Sequence, residues 1–273
     1  MNNKSNLGTW LRQSTTLLKE AEVPTARLDA ELILAKSLNV SRTWLLAHSD
    51  QIIDTATADS LISQRLKRVP LAYLTNHKEF YGREFVVTPD VLIPRPESET
   101  IIEFAKEYNI TGRVLDVGCG SGAIGITLAL ELSVRLTVSD ISEAALKVAR
   151  RNAKMLGAKP VRFVASDLLD HWLRHDTPKP FDCIVANLPY VDPSWERSPE
   201  TNYEPALALF ADCEGLSLIK RLLDQASRLV SPDGLLFLEA DPEQHFEMIA
   251  YAEKNNFYLE NNRDYCVVLR HQQ

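Results

Sequence analysis

Residues 113–132 read Arg113-Val-Leu-Asp116-Val-Gly118-Cys119-Gly120-Ser121-Gly122-Ala-Ile-Gly-Ile-Thr-Leu-Ala-Leu-Glu-Leu132, and their pattern changes half-way. RVLDV is a short apolar run of β-formers, which reads as a buried strand. GAIGITLALEL is longer and predominantly apolar, so it reads as a helix. Between them the spacing of glycines demands a tight turn with an accessible backbone. A strand, a glycine-rich turn and a helix in this order form the first unit of a doubly wound α/β sheet.

The alternation continues outward from that stretch. RLTVS, VRFVA, FDCIVAN and GLLFLEA read as strands. Between and after them, SEAALKVARRNAKML, LSLIKRLLDQASRLV and EQHFEMIAYAEKN read as helices, the first capped by Ser142 and stopped by Gly157. FYLEN and CVVLR predict a closing hairpin. Alternating strands and helices imply a mostly parallel sheet covered on both faces. Upstream, residues 7 to about 70 read as helices without a strand signal. TWLRQSTTLLKEAEV places Trp10, Leu11, Leu17 and Leu18 on one face, and ARLDAELILAKSL carries Leu28, Leu32, Ile33 and Ala35. Ser41 caps a third helix, and Asp54 to Val69 gives a fourth, closed by Pro70. Phe80, Tyr81, Phe85, Val86 and Val87, punctuated by Gly82 and Pro89, predict a β-hairpin. The expected division is a helical bundle over 1–75, a hairpin linker over 76–96 and an α/β domain over 97–273.

Three acids mark the carboxyl ends of successive strands. Asp116 directly precedes the glycine turn; a carboxylate there repels a pyrophosphate and suits an ammonium group, such as that of a methionine moiety. Asp140 ends the next strand, where nucleotide folds place an acid on ribose hydroxyls. Asp167 ends the third and is expected to accept from an adenine amino group. Taken singly, Asp140 and Asp167 also read as helix caps and Asp116 as a turn residue. Together they predict an S-adenosylmethionine site, with Gly118, Cys119, Gly120, Ser121, Gly122 and Ile141 around it. Cys119 reads as a small residue tolerated in the turn. His171 and His175 read as surface residues.

Across the expected crevice, FDCIVA runs into Asn187-Leu188-Pro189-Tyr190. An amide or exocyclic amine is a poor nucleophile because its lone pair is delocalised. Asn187 offers an oxygen that accepts one of its protons, the Pro189 turn aims a backbone carbonyl at the other, and Tyr190 supplies a flat face. Proximity does the rest. The irregular stretch from Val191 to Asp212, with three prolines, is expected to hold a substrate peptide.

Composition narrows the class. Apolar residues make up 45% and charged residues 25%, and the net charge is −7. The basic footprint of a nucleic-acid binder is absent overall, and Arg65, Lys67 and Arg68 read as a solvated helix end. The four cysteines show no metal-ligand spacing, so no metal is expected. No run approaches the length of a membrane helix and no leader pattern opens the chain, so a cytoplasmic protein is expected; a monomer is expected as well.

Taken together, these motifs resemble the HemK/PrmC family, the release-factor glutamine methyltransferases. The likeness rests on Arg27-Leu-Asp29-Ala-Glu31-Leu, Pro70-Leu-Ala-Tyr73-Leu, Glu79-Phe-Tyr-Gly82, Val87-Thr-Pro-Asp-Val-Leu-Ile-Pro-Arg95-Pro-Glu97, the glycine turn, Asp140, Glu204-Pro205 and Gly215-Leu216. It implies a class I, Rossmann-like methyltransferase domain preceded by a helical bundle and a hairpin linker. It implies S-adenosylmethionine as cofactor, with Asp167 and Leu168 at its adenine. It further implies that Asn187, Pro189 and Tyr190, with Leu188, Arg95 and Glu97 nearby, contact the glutamine of a Gly-Gly-Gln loop in peptide-chain release factors. The sequence departs from the family at Leu188, usually proline, at Leu168, aromatic in some relatives, at Asp241, usually glycine, and in a shortened end, RDYCVVLR. Rival readings are a ribosomal-protein glutamine methyltransferase, an adenine-N6 methyltransferase acting on RNA or DNA, and a non-catalytic cofactor-binding regulator. The leading bundle and the acidic balance disfavour the nucleic-acid reading.

Overall fold

Asn6 starts the first helix by accepting the Thr9 amide on its side chain, satisfying one of the unpaired N–H groups of the first turn. The computed structural model describes residues 4–174 and 179–272; His175 lies outside them. The chain divides into two units. One contains the residues up to His77 together with Arg197–Tyr203; the other contains Lys78–Glu196 and the chain from Glu204 onward.

The first unit holds β1 (Lys4–Asn6), α1 (Leu7–Glu20), α2 (Ala26–Leu38), α3 (Arg42–Ala47), β2 (Ile52–Asp54), α4 (Ala56–Arg65) and α5 (Leu71–Thr75). Strands β1 and β2 pair antiparallel, which corrects the strandless reading; three residues are too few to show alternation. Helix α4 ends at Arg65, short of the Pro70 expected to close it, and Pro70 instead sits at the N-cap of α5. Trp10, Leu11, Leu18, Ile33 and Leu34 form the core. Leu17 and Leu28 instead face solvent, at 47% and 38% exposure. Ser41 caps α3 through the Trp44 amide, as expected.

Arg65 and Arg68 overturn the expectation of a solvated basic end. Arg65 is buried and pairs with Asp29 at 2.6 Å and Glu200 at 2.9 Å. Arg68 forks onto both Glu200 oxygens. Burial disfavours the Glu200 carboxylate, but hydrogen bonds from Arg68, Ser198 and Arg65 outweigh it and hold its pKa down to about 2.

The hairpin β3 (His77–Phe80) and β4 (Arg83–Val86) follows, with all but His77 in the second unit, then α6 (Glu99–Glu107), which has no counterpart in the sequence reading. Next come β5 (Gly112–Val117), α7 (Ala123–Glu131), β6 (Val134–Asp140), α8 (Glu143–Leu156), β7 (Val161–Ala165), α9 (Asp170–Leu173) and β8 (Phe181–Ala186). The chain finishes with α10 (Ser217–Ala226), β9 (Val230–Glu239), α11 (His245–Glu253), β10 (Phe257–Arg263) and β11 (Cys266–His271). The sheet order is β10-β11-β9-β8-β5-β6-β7. Strands β9, β8, β5, β6 and β7 are parallel, and β11 runs antiparallel to both its neighbours, β9 and β10. Strand residues alternate between two cores. Val114, Val138, Val185 and Phe237 pack with α6, α7 and α8; Leu115, Ile184, Leu236 and Leu238 pack with α10 and α11. The chain order reverses between β5 and β8, so their carboxyl ends open a crevice at the switch point.

Candidate active site

A cleft of about 200 Å³ opens at that crevice, lined from one side by Asp116, Gly118 to Ser121, Asp140, Ile141, Asp167 and Leu168, and from the other by Asn187, Leu188, Pro189 and Arg95. It therefore gathers most of the residues singled out from the sequence. Gly122, Tyr190 and Glu97 stand outside its lining. Gly122 is the N-cap of α7, and Glu97 is exposed at the turn before α6.

Asp116 is almost wholly buried, and its Oδ2 accepts the Gly125 amide at 2.9 Å. Burial pushes its carboxyl up to about 7; the Gly125 bond opposes this and the Asp140 charge adds to it. A group that costly to ionise in isolation awaits a cation. Asp140 accepts the Gly120 amide at 2.9 Å on one oxygen and the Ser142 amide at 2.8 Å on the other. It thus holds the glycine turn and the start of α8 while still lining the cleft. Burial raises its pKa against those bonds. Gly120 has φ +51°, and a Cβ there would meet only open space within 4 Å. The turn thereby leaves an uncovered backbone cradle beside two carboxylates, which fits a cationic nucleoside cofactor.

Asp167 lies two residues beyond the end of β7 rather than on it. Its Oδ2 pairs with Arg221 at 2.9 Å. Leu168 is buried with φ +44°, so the turn is fixed by side-chain packing. Leu188, where the family usually has proline, is also buried; its Cδ2 stands 3.0 Å from where a Cβ on Gly118 would be, closing the far wall onto the glycine turn.

Asn187 donates its Nδ2 to Ser98 Oγ at 3.0 Å. Ser98 in turn donates to Glu239 Oε2 at 2.6 Å, and Tyr190 donates its hydroxyl to Glu239 Oε1 at 3.1 Å. The ring of Tyr190 is therefore anchored at its phenol, which burial and the Glu239 charge push well above the usual range. The Tyr190 carbonyl accepts Gln244 Nε2 at 2.9 Å, and Gly215 leaves room for it. Asp241, which replaces a family glycine, caps the turn carrying Gln244 in a reciprocal capping box.

Arg95 is held by Glu204 at 2.6 Å, and the same carboxylate accepts the Ile93 amide at 3.0 Å. This buried clamp fastens the segment before α6 to Glu204-Pro205, and Pro205, Leu207 and Ala208 reach the cleft wall. The irregular stretch thus splits. Its end lines the cleft, whereas Arg197–Tyr203 belongs to the helical unit through Glu200. Asn152 ties Val86 and Ser121 together through three buried hydrogen bonds, supporting the glycine turn from below.

Ser98, Glu239, Gln244 and Asn152 were not singled out from the sequence, and Glu204 entered only as part of the family resemblance. Glu239 carries a legible signal, an acid closing the apolar run GLLFLE; the others act through distant partners. Cys119 is a buried free cysteine. His171 is half-buried beside Trp172 rather than fully at the surface. Among the described residues no cluster of His, Cys, Asp or Glu could hold a metal, and no helix is long and apolar enough to cross a membrane.

Residues 9–75 match the PrmC N-terminal domain and residues 110–269 a methyltransferase domain. A release factor glutamine methyltransferase of Koribacter versatilis is 40% identical over 82% of this chain and 84% of its own length. Proteins of that name from Burkholderia pseudomallei and Salmonella typhimurium are 39% and 32% identical, covering 81% and 94% of this chain and 81% and 94% of their own. Among solved structures, the Thermus thermophilus 16S rRNA N2 G1207 methyltransferase, in complex with AdoMet and guanosine, aligns over 72% of this chain and 50% of its own at 19% identity and TM-score 0.55. A Pyrococcus furiosus methyltransferase aligns over 77% and 99% at 15% identity and TM-score 0.54. These two likenesses show the fold.

Proposed function

The chain belongs to the release factor glutamine methyltransferases, and from that premise we propose that it methylates the side-chain amide nitrogen of the glutamine in the Gly-Gly-Gln motif of a peptide-chain release factor. It is an enzyme, and its cofactor is S-adenosylmethionine. The observation that carries the substrate reading is Asn187. Its NH₂ is spent inward on Ser98, while the residue lines the cleft that also holds Asp116 and the glycine turn.

When bound, S-adenosylmethionine supplies an electrophilic methyl group on a sulfonium sulfur. In this reading Asp116 binds its ammonium, Asp140 its ribose hydroxyls through the lone pairs left free by Gly120 and Ser142, and Asp167 and Leu168 its adenine. Gly118 to Gly122 let the backbone approach it. Asn187 accepts one N–H of the glutamine amide, which orients the nitrogen and stabilises the positive charge that grows on it as the new N–C bond forms. Pro189 fixes the turn, Leu188 presents a backbone carbonyl, and Tyr190 forms a rigid wall held by Glu239. Arg95, clamped by Glu204, and Glu97 border the peptide's path. The nitrogen's surplus proton leaves to water. The enzyme works in the cytoplasm, with its substrate.

The test is incubation with methyl-labelled cofactor and, separately, a release factor and ribosomal RNA, with the methyl group located by mass spectrometry. Label is expected on the Gly-Gly-Gln glutamine, reduced about 10²- to 10³-fold by Asn187→Ala, the usual loss on removing one transition-state hydrogen-bond partner. Label on RNA alone would overturn the reading.

A further inference from the structure

Asn187, Ser98 and Glu239 form a directional chain whose direction is fixed by proton count. An asparagine amide presents either its oxygen or its NH₂, and the two ends have nearly the same shape. A serine hydroxyl has one proton to give. Ser98 gives its proton to Glu239 Oε2 at 2.6 Å. Its oxygen then has only lone pairs left for the amide 3.0 Å away, so the end of Asn187 facing it is NH₂. Tyr190 donates to the second oxygen of the same carboxylate. Ser98 and Glu239 are 3% and 1% exposed, which leaves water no role in breaking the chain.

We propose that Ser98 and Glu239 are positioning residues that set which end of Asn187 faces the substrate. Glu239 drains the Ser98 proton, Ser98 holds the Asn187 NH₂, and the Asn187 oxygen is thereby offered to a substrate N–H. This gives the site its preference for an amide or amino nitrogen over an acceptor of equal size. Reversing the chain would turn the NH₂ outward, where it meets the substrate's own N–H groups head-on. The inference rests on the function proposed above for what the oxygen grips, but the orientation of Asn187 is measurable without a substrate.

The relay has a built-in acid sensitivity. Burial pushes Glu239 up to about 7; hydrogen bonds from Ser98, Tyr190 and Asn187 oppose the shift, and the Glu97 charge adds to it. The buried Cys266 thiol also feels the Glu239 charge, with Arg263 acting the other way on it, and Tyr265 faces Tyr190. A protonated Glu239 becomes a donor to Ser98, which then turns its own proton to Asn187 and reverses the chain.

The test compares the full-length wild type with Ser98→Ala and Ser98→Thr. Ser98→Ala is expected to lower kcat on a release factor by at least about tenfold, the worth of one orienting hydrogen bond, with cofactor affinity unchanged. Ser98→Thr, which keeps the hydroxyl, is expected to restore it. Wild-type kcat is expected to fall as the pH drops through about 7. In ¹⁵N spectra without substrate, the Asn187 side-chain NH₂ signals of the wild type and Ser98→Thr should be exchange-protected and move over the same pH range. Wild-type kcat in Ser98→Ala, or Asn187 signals that stay fixed across that range, would overturn the proposal. If Ser98→Ala does not fold, the wild-type and Ser98→Thr spectra decide alone. Failure of the wild type to label a release factor would remove the function proposed above and leave the spectra to judge the relay.

Discussion

In the role proposed for it, binding the cofactor's ammonium, Asp116 alone sets the working range of the site. Its carboxyl sits near 7 because burial penalises its charge. A bound ammonium relieves that penalty, so the proton must leave as the cofactor arrives. Affinity for S-adenosylmethionine is therefore expected to weaken below neutrality, approaching about tenfold per pH unit, with proton release visible by calorimetry in buffers of different ionisation heat. An affinity flat through that range would mean that Asp116 is already ionised in the free protein. For the free fold the sign is opposite: the raised pKa stabilises below the ordinary carboxyl value of 3.8, and that contribution disappears as pH rises through about 7. Asp116, Gly120 and Asn187 were legible in the sequence because their chemistry is local, each at a strand end or turn whose type the pattern announces. Ser98 was not, because its meaning depends on a partner 141 residues away; Glu239 was marked only as an acid closing an apolar run.

At the scale of elements, the turn after β8 is held by a contact no periodicity reveals. Gly215, at φ +84°, lies under the Tyr190 carbonyl; a Cβ there would fall 1.9 Å from that oxygen and 2.4 Å from Gln244 Nε2. The backbone oxygen cannot swing away as a flexible side chain does. Gly215→Ala is expected to cost at least about 2 kcal/mol in denaturant unfolding, from overpacking and left-handed strain together. An unchanged midpoint would show that the turn re-forms around the added methyl. Strands β5, β6, β7 and β8 were read within a residue or two, since buried parallel strands are short apolar runs flanked by breakers. Helix α6 was missed because it follows a proline-rich segment and its start is occupied by residues that looked functional. Strand β9 begins before the expected GLLFLEA, at Val230, with a register shift against β8 between Phe181 and Cys183.

At the scale of the whole molecule, the helical unit is fastened by charge as well as by its apolar core. Arg65 serves Asp29 and Glu200 at once, and Asp29 is 1% exposed. Arg65→Ala leaves that carboxylate unpaired and is expected to destabilise the unit by about 3–5 kcal/mol, read from thermal unfolding. A loss below about 1 kcal/mol, the surface-pair range, would place Asp29 in contact with water. Glu200 has a lowered pKa, so its contribution is present above the ordinary value of 4.5 and lost as pH falls toward about 2; Glu200→Gln should remove that part of the acid transition. The sequence by itself determined the sheet, its switch-point crevice, the cofactor turn and the tetrapeptide opposite it, because strand, helix and glycine signals act over a few residues. Only the tertiary structure decided that Arg65 is buried and Arg68 paired, that residues 197–203 return to the helical unit, and that Ser98 and Glu239 meet Asn187. Burial and pairing of polar groups depend on which distant segments meet, and one-dimensional order carries no record of those meetings until the core has formed.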